Sequence, residues 1–181
     1  MLSKKIESAL NSQVALEHES SQFYLAMASW AEVQGYHGIT KFLYHQSDEE
    51  RLHMLKLFHY INDKGGHAQV PFGTKPPKTF HSVHDIFEHI LKHEVKATSE
   101  INNLVGNCQT EKDFTTQNFL QWYVSAQIEE EKTARTLLDK LALIGNDKGG
   151  MYLFDRDIGT LMPGNKKHHQ PHSQLQNESA Y

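Results

Sequence analysis

Along four stretches of the chain, apolar residues recur at steps of three and four, the spacing of one helical face, and each face turns polar at its centre. The first stretch, from about Ser3 to Glu32, carries Ile6, Leu10, Gln13, Glu17, Ser20, Tyr24, Met27 and Ala31 on that face. Ser3 is a suitable N-cap, without the partner that would complete a capping box, and Gln34-Gly35-Tyr36-His37-Gly38 breaks the pattern. The second stretch, about Ile39 to Lys64, carries Ile39, Leu43, Gln46, Glu50, His53, Leu57 and Ile61 and is stopped by Gly65-Gly66. The third, about Val83 to Val105, carries Ile86 or Phe87, then Ile90, Glu94, Ala97, Ile101 and Leu104. The fourth starts after Gly106 to Thr110 and runs to about Ile144. It carries Leu120, Tyr123, Gln127, Glu130, Ala134, Leu137 and Leu141, with Gly145 as its C-cap.

Between the second and third stretches, residues 65 to 82 include Pro71, Gly73, Pro76 and Pro77 and show no helical period. So long a connection inside a helical bundle is a crossover, and it lets the third helix run parallel to the second. A short fifth segment, Met151 to Leu161, has five apolar positions and ends at Pro163-Gly164. The pattern therefore predicts an all-α fold: a four-helix bundle with a long crossover between the second and third helices and a short fifth helix. Residues 1–162 read as one domain. Residues 163–181 are polar and read as a disordered C-terminal tail.

Composition narrows the function classes. A chain of 181 residues is long enough for one real core, and a net charge of -4 gives no basic field for nucleic acid. The single cysteine, Cys108, rules out an intrachain disulfide framework or a cysteine-rich metal site, and it reads as a small buried residue near a helix end. The start, MLSKKIESALNSQ, lacks the apolar run of a signal peptide, and no stretch is long and apolar enough for a membrane span. A soluble cytoplasmic protein is the expectation, with no membrane partner.

The chemistry lies in the polar centres. Glu17, Glu50, Glu94 and Glu130 each fall near the midpoint of an apolar face. In a four-helix bundle the midpoints meet, so four carboxylates crowd into the core at one level. Burying like charges together is costly unless cations neutralise them. Two divalent ions balance four carboxylates. Glu50 and His53 form a Glu-x-x-His pair, and residues three apart on a helix turn both side chains toward one ion. Mixed oxygen and imidazole donors suit iron or manganese better than calcium or thiol-bound zinc. Gln127 and Tyr24 lie within two turns of Glu130 and Glu17, in positions to support the ligands.

With those residues in place, the chain from Met1 to about Leu161 resembles the bacterial non-haem ferritins. The most specific pieces are Ser47-Asp-Glu-Glu-Arg-Leu-His53, Phe119-Leu-Gln-Trp-Tyr-Val-Ser-Ala-Gln127, and Glu129 to Glu131, together with Glu17 and Glu94. The resemblance implies a ferroxidase centre within each subunit, using Fe(II) and O2 or H2O2 as substrates. Glu17 and His53 would bind one iron, Glu94 and Glu130 the second, and Glu50 would bridge. Gln127 would hydrogen-bond near the site and Tyr24 would be the nearby phenol. It also implies hollow shells of 24 subunits that store a ferric mineral, with the fifth helix lining four-fold channels. The reading is iron storage and detoxification with two iron ions per subunit. A di-iron oxidase or peroxidase without storage is the alternative.

Two departures from the family pattern matter. The family often has a third iron site, whose glutamates would fall at positions 49, 126, 129 and 130. Ala126 stands at one of them, so Glu49, Glu129 and Glu130 imply a weakened third site. The three-fold channel carboxylates of animal ferritins would fall at Gln117 and Leu120, and neither is acidic. Relatives of other kinds fit less well. Bacterioferritins carry a second Glu-x-x-His in the fourth helix and a haem-binding Met before the second-helix histidine. Gln127-x-x-Glu130 and Leu52 stand here, so no haem is expected. Rubrerythrins need four cysteines. Among the 13 histidines, His89 and His93 are spaced to clip a metal ion, and His168, His169 and His172 lie in the tail. Solvated surface positions are the expectation for both groups.

Overall fold

The structure, a computed structural model, describes residues 1–73 and 75–161. The tail 163–181, with its three histidines, lies outside the described residues. Among the described residues there are six helices: α1 Lys4–Val33, α2 His37–Asp63, α3 Val83–Thr110, α4 Phe114–Phe119, α5 Gln121–Ile144 and α6 Lys148–Ile158. No strand occurs among the described residues, and no helix there is long and apolar enough to cross a membrane.

The helix ends follow local chemistry. The Ser3 hydroxyl accepts from the Ile6 N–H, and Ser82 does the same for Asp85 at the start of α3. After α2 the chain turns at Gly65, whose φ of 76° suits glycine, and the Gly66 N–H closes back on the Ile61 carbonyl. Three features differ from the sequence pattern. α3 continues through Gly106 to Thr110, because Cys108 extends the buried stripe one turn beyond Leu104 and Gly106 faces open space. The fourth helix divides at Leu120 into α4 and α5, with Asp113 capping α4 through the Thr116 N–H. α6 begins earlier than Met151, because Asp147 accepts from the N–H groups of both Gly149 and Gly150.

The core is two apolar clusters. One gathers Met27 and Ala31 of α1, Ile39 and Leu43 of α2, Ile86 and Phe87 of α3, and Leu137 and Leu141 of α5. The other gathers Ile6 and Leu10, Leu57 and Ile61, Ile101 and Leu104, and Tyr123. The start of α2 thus meets the start of α3, so these helices are parallel, and each is antiparallel to α1 and α5. The link between α2 and α3 must travel the length of the bundle. Part of it is tied to α1: Asn11 donates to the His67 carbonyl at 3.1 Å and accepts from the Gln69 N–H at 2.8 Å, while Glu7 accepts from the His67 N–H at 2.9 Å.

α6 closes one end. Asp155 Oδ1 accepts from the Gly38 and Ile39 N–H groups at 3.0 and 2.9 Å, capping α2 where Tyr36 provides no side-chain cap. A Cβ on Gly38 would sit 1.6 Å from the Asp155 carbonyl oxygen, so the backbones pack in direct contact. Phe154 and Ile158 are buried in this chain, whereas Tyr152, Leu153 and Leu161 are exposed. Removing the cap acceptor with Asp155→Ala is expected to cost about 1 kcal/mol. Gly38→Ala should cost more, because α6 must lift away. Denaturant unfolding reads the first effect and faster proteolysis within α6 the second. Wild-type behaviour in both variants would show that α6 is not seated this way.

Candidate metal centre

Between the two apolar clusters lies a buried polar layer. Glu17 and Glu94 are each 1 % exposed, and Glu50 is 6 % exposed. α1 brings Glu17, α2 brings Glu50 and His53, α3 brings Glu94, and α5 brings Glu130. One ligand atom from each of Glu17, Glu50 and His53 lies within 4.8 Å of the other two. His53 Nδ1 is 3.7 Å from Glu17 Oε2 and 3.6 Å from Glu50 Oε2. These are ion-pair separations, too long for hydrogen bonds. Glu17 Oε2 is buried and has no hydrogen-bond partner. An orphaned carboxylate oxygen in a protein interior is costly, and a cation here would satisfy it.

Neighbouring donors hold the other carboxylates. The Tyr24 hydroxyl donates to Glu94 Oε1 at 2.6 Å, and Gln127 Nε2 donates to Glu94 Oε2 at 2.9 Å. Gln46 Nε2 donates to Glu130 Oε2 at 2.8 Å. Gln13 Nε2 donates to Glu17 Oε1 at 2.8 Å, and the Tyr123 hydroxyl donates to the same oxygen. Tyr24 and Gln127 therefore both serve Glu94 on α3, rather than the carboxylates of their own helices. Gln13, Gln46 and Tyr123 lie on the polar centres of the stripes but carry no assignment from sequence. The signal was there for two of them, since Gln13 and Gln46 stand one turn before Glu17 and Glu50.

Burial and mutual repulsion shape the protonation of the layer. Burial pushes Glu50 well above the usual carboxylate range; nearby Glu17 and Glu94 add to this, and His53 opposes it. Burial, with Glu94 and Glu49, raises Glu130 to about 7 against the pull of Gln46. Burial alone would lower His53, but Glu17 and Glu50 outweigh it and raise the imidazole to about 10. Burial beside Glu94 and Glu50 pushes the Tyr24 phenol well above its ordinary value. In the absence of cations, the layer limits its negative charge by keeping protons.

The remaining candidates fall elsewhere. Glu49, Ala126, Glu129 and Glu130 line an open cleft of about 450 Å³ between α2 and α5. Glu49 pairs with His45 at 3.3 Å and Glu129 with Lys132 at 3.5 Å. Among the described residues, Glu49, Glu129 and Glu130 do not draw together as Glu17, Glu50 and His53 do. His89 pairs with Asp85 at 3.3 Å. His93 is half-buried against Phe23, 2.5 Å from the Ser20 hydroxyl, so it is not the solvated residue its spacing suggested.

Known proteins share this architecture. Residues 7–144 match the ferritin-like domain family. The chain is 44% identical over 161 residues to a probable bacterial non-heme ferritin-like protein of Haemophilus influenzae, covering 89% of this chain and 98% of that one. It is 40% identical over 167 residues to a bacterial non-heme ferritin of Campylobacter jejuni, covering 92% and 100%. Among solved structures, an open pore ferritin from Archaeoglobus fulgidus superposes with a TM-score of 0.86 at 38% identity, covering 88% of this chain and 98% of that one.

The raised carboxyl of Glu130 has a consequence for stability. Between its ordinary value of 4.5 and about 7, the folded chain holds a proton that the unfolded chain has lost. Stability of the metal-free protein therefore falls as pH rises through that window. His53 acts with the same sign: its contribution is complete below 6.5 and lost as pH rises toward about 10. The unfolding temperature of metal-free protein is expected to fall from about pH 5 to about pH 8, and Glu130→Gln should flatten the acidic half. A flat or rising profile in the wild type across the acidic half would show that Glu130 is not buried among like charges.

Proposed function

The chain belongs to the ferritin family, and from that premise we propose that it stores iron, oxidising Fe(II) at the buried carboxylate layer and depositing the ferric product within a hollow shell of its own copies. The carrying observation is the convergence of Glu17, Glu50 and His53 within 4.8 Å, with one Glu17 oxygen unpartnered. In this reading Glu17 and His53 bind one Fe(II), Glu94 and Glu130 bind the second, and Glu50, which accepts no hydrogen bond among the described residues, bridges them. Two divalent cations match the charge of four carboxylates and displace the protons that the layer otherwise holds. Each Fe(II) gives up one electron. O2 takes both, with two protons, to become H2O2, or H2O2 takes both, with two protons, to become two waters. Carboxylates favour the harder Fe(III) product. Haem has no part in this scheme, because Leu52 precedes His53.

Exposed apolar side chains support the shell. Leu52, Ile128, Tyr152 and Leu143 are more than half exposed, and nothing among the described residues covers them. The proposal comprises 24 copies, a domain over residues 1–162 and a cytoplasmic location. Ala126, beside Glu49, Glu129 and Glu130, leaves at most a weakened third site.

Glu50→Ala is expected to abolish rapid Fe(II) oxidation while the protein stays folded, because the bridge is lost and apo repulsion is relieved. Stopped-flow oxidation at the wild-type rate would move the site elsewhere. A second experiment separates storage from a di-iron oxidase. Aerobic Fe(II) is added in large excess and iron is followed through size-exclusion chromatography. Iron should co-elute with a particle of about 24 chains at far more than two ions per chain, since a dinuclear site saturates at two and only an enclosed cavity holds the rest. Saturation near two on a monomer or dimer would establish the oxidase instead.

A further inference from the structure

The hydrogen-bond donors in the polar layer are unevenly shared. A carboxylate oxygen offers two lone pairs. On Glu17, both donors fall on Oε1: Gln13 Nε2 at 2.8 Å and the Tyr123 hydroxyl. Oε2 receives none and is buried. On Glu94 the donors are divided, with Tyr24 on Oε1 and Gln127 on Oε2, so each oxygen keeps a lone pair. We infer that Gln13 and Tyr123 are positioning residues that occupy Glu17 Oε1 and make Glu17 a ligand through Oε2 alone. This rests on the reading of Glu17 as an iron ligand.

The clamp is built from two helices and has little freedom. Gln13 is on α1 one turn before Glu17, and Tyr123 is on α5. The Gln13 amide donates one hydrogen to Glu17 and the other to the Tyr123 hydroxyl, 3.0 Å away. A carboxylate only accepts, so the amide nitrogen must face it and the amide cannot flip without losing both bonds. The Tyr123 hydroxyl, having accepted from Gln13, directs its own hydrogen to Glu17. Its ring is 1 % exposed, stacks on Trp122 at 4.9 Å and packs against His53 at 5.6 Å, so the hydroxyl cannot swing away. His53 stands on the Oε2 side of Glu17, at 3.7 Å. Free Oε2 and imidazole therefore face the same point while Oε1 is turned back into the protein. A one-oxygen Glu17 keeps the coordination number of its ion low and leaves room there for an oxidant.

The test uses the full chain, freed of metal and titrated with Co(II), which is not oxidised under these conditions and whose visible bands weaken as its coordination number rises. Uptake at the centre is what Glu50→Ala loses. The wild type should bind two Co(II) per chain there. In Tyr123→Phe and Gln13→Leu, Glu17 gains a lone pair on Oε1 and can chelate. The visible bands of one of the two ions should then weaken as its coordination number rises, while those of the other are unchanged. Tyr123→Phe keeps the ring between Trp122 and His53, so it carries the test alone if Gln13→Leu fails to fold. Unchanged titration and bands in folded variants would overturn the inference. So would equal weakening of both ions with unaltered bands, which is the mark of general loosening. A wild type with no uptake beyond Glu50→Ala overturns the reading of the centre itself, and the inference with it.

Discussion

Four carboxylates and an imidazole sit in the middle of a helical bundle, where Glu17, Glu50 and Glu94 are buried and Glu130 and His53 keep only part of their contact with water. Removing one ion from water costs several kcal/mol even after relaxation, and these groups repel one another as well. The rest of the structure is arranged around that cost. An apolar cluster on either side of the layer supplies the burial that holds the helices together, with each fully buried Leu, Ile or Phe contributing roughly 1.5–3 kcal/mol. The layer itself lowers its charge in two ways, by keeping protons on Glu50 and Glu130 and by protonating His53.

The supporting donors come from helices other than those of the carboxylates they serve, apart from Gln13. Tyr24 of α1 and Gln127 of α5 meet on Glu94 of α3, Gln46 of α2 reaches Glu130 of α5, and Tyr123 of α5 reaches Glu17 of α1. Each bond therefore sets the relative height of two helices. This requires α2 and α3 to be parallel, with the connection between them spanning the bundle. Asn11 and Glu7 tie part of that connection to α1, which limits the freedom so long a segment would otherwise have.

The ends of the bundle obey a different constraint, the need to satisfy backbone groups. α2 begins at Tyr36 without a side-chain cap, and its first N–H groups are satisfied by Asp155 from the far end of the sequence. The short final helix is therefore seated by its own chain through Asp155, Phe154 and Ile158. It presents Tyr152 and Leu153 outward. Its place does not depend on a neighbouring copy, although its exposed face suits one.

The four long helical stripes and the polar centre of each were legible in the sequence, because helical periodicity is local: residues three and four apart share a face whatever lies opposite. The same locality explains where that reading ended. α3 runs past Gly106 because Cys108 finds a buried place in the cluster around Ile101 and Leu104, and α6 starts early because of one aspartate cap. Tyr24 and Gln127 could be placed near the centre, but not on Glu94. His93 has the sequence setting of a solvated residue, but Ser20 and Phe23 lie beside it. Gln46 and Tyr123 looked like polar interruptions of a stripe, since a hydrogen bond between side chains 84 or 106 positions apart leaves no periodic trace. Sequence alone determined which residues face inward. Only the tertiary structure decided which oxygen each donor takes, because that depends on how helices distant in the chain are set against one another.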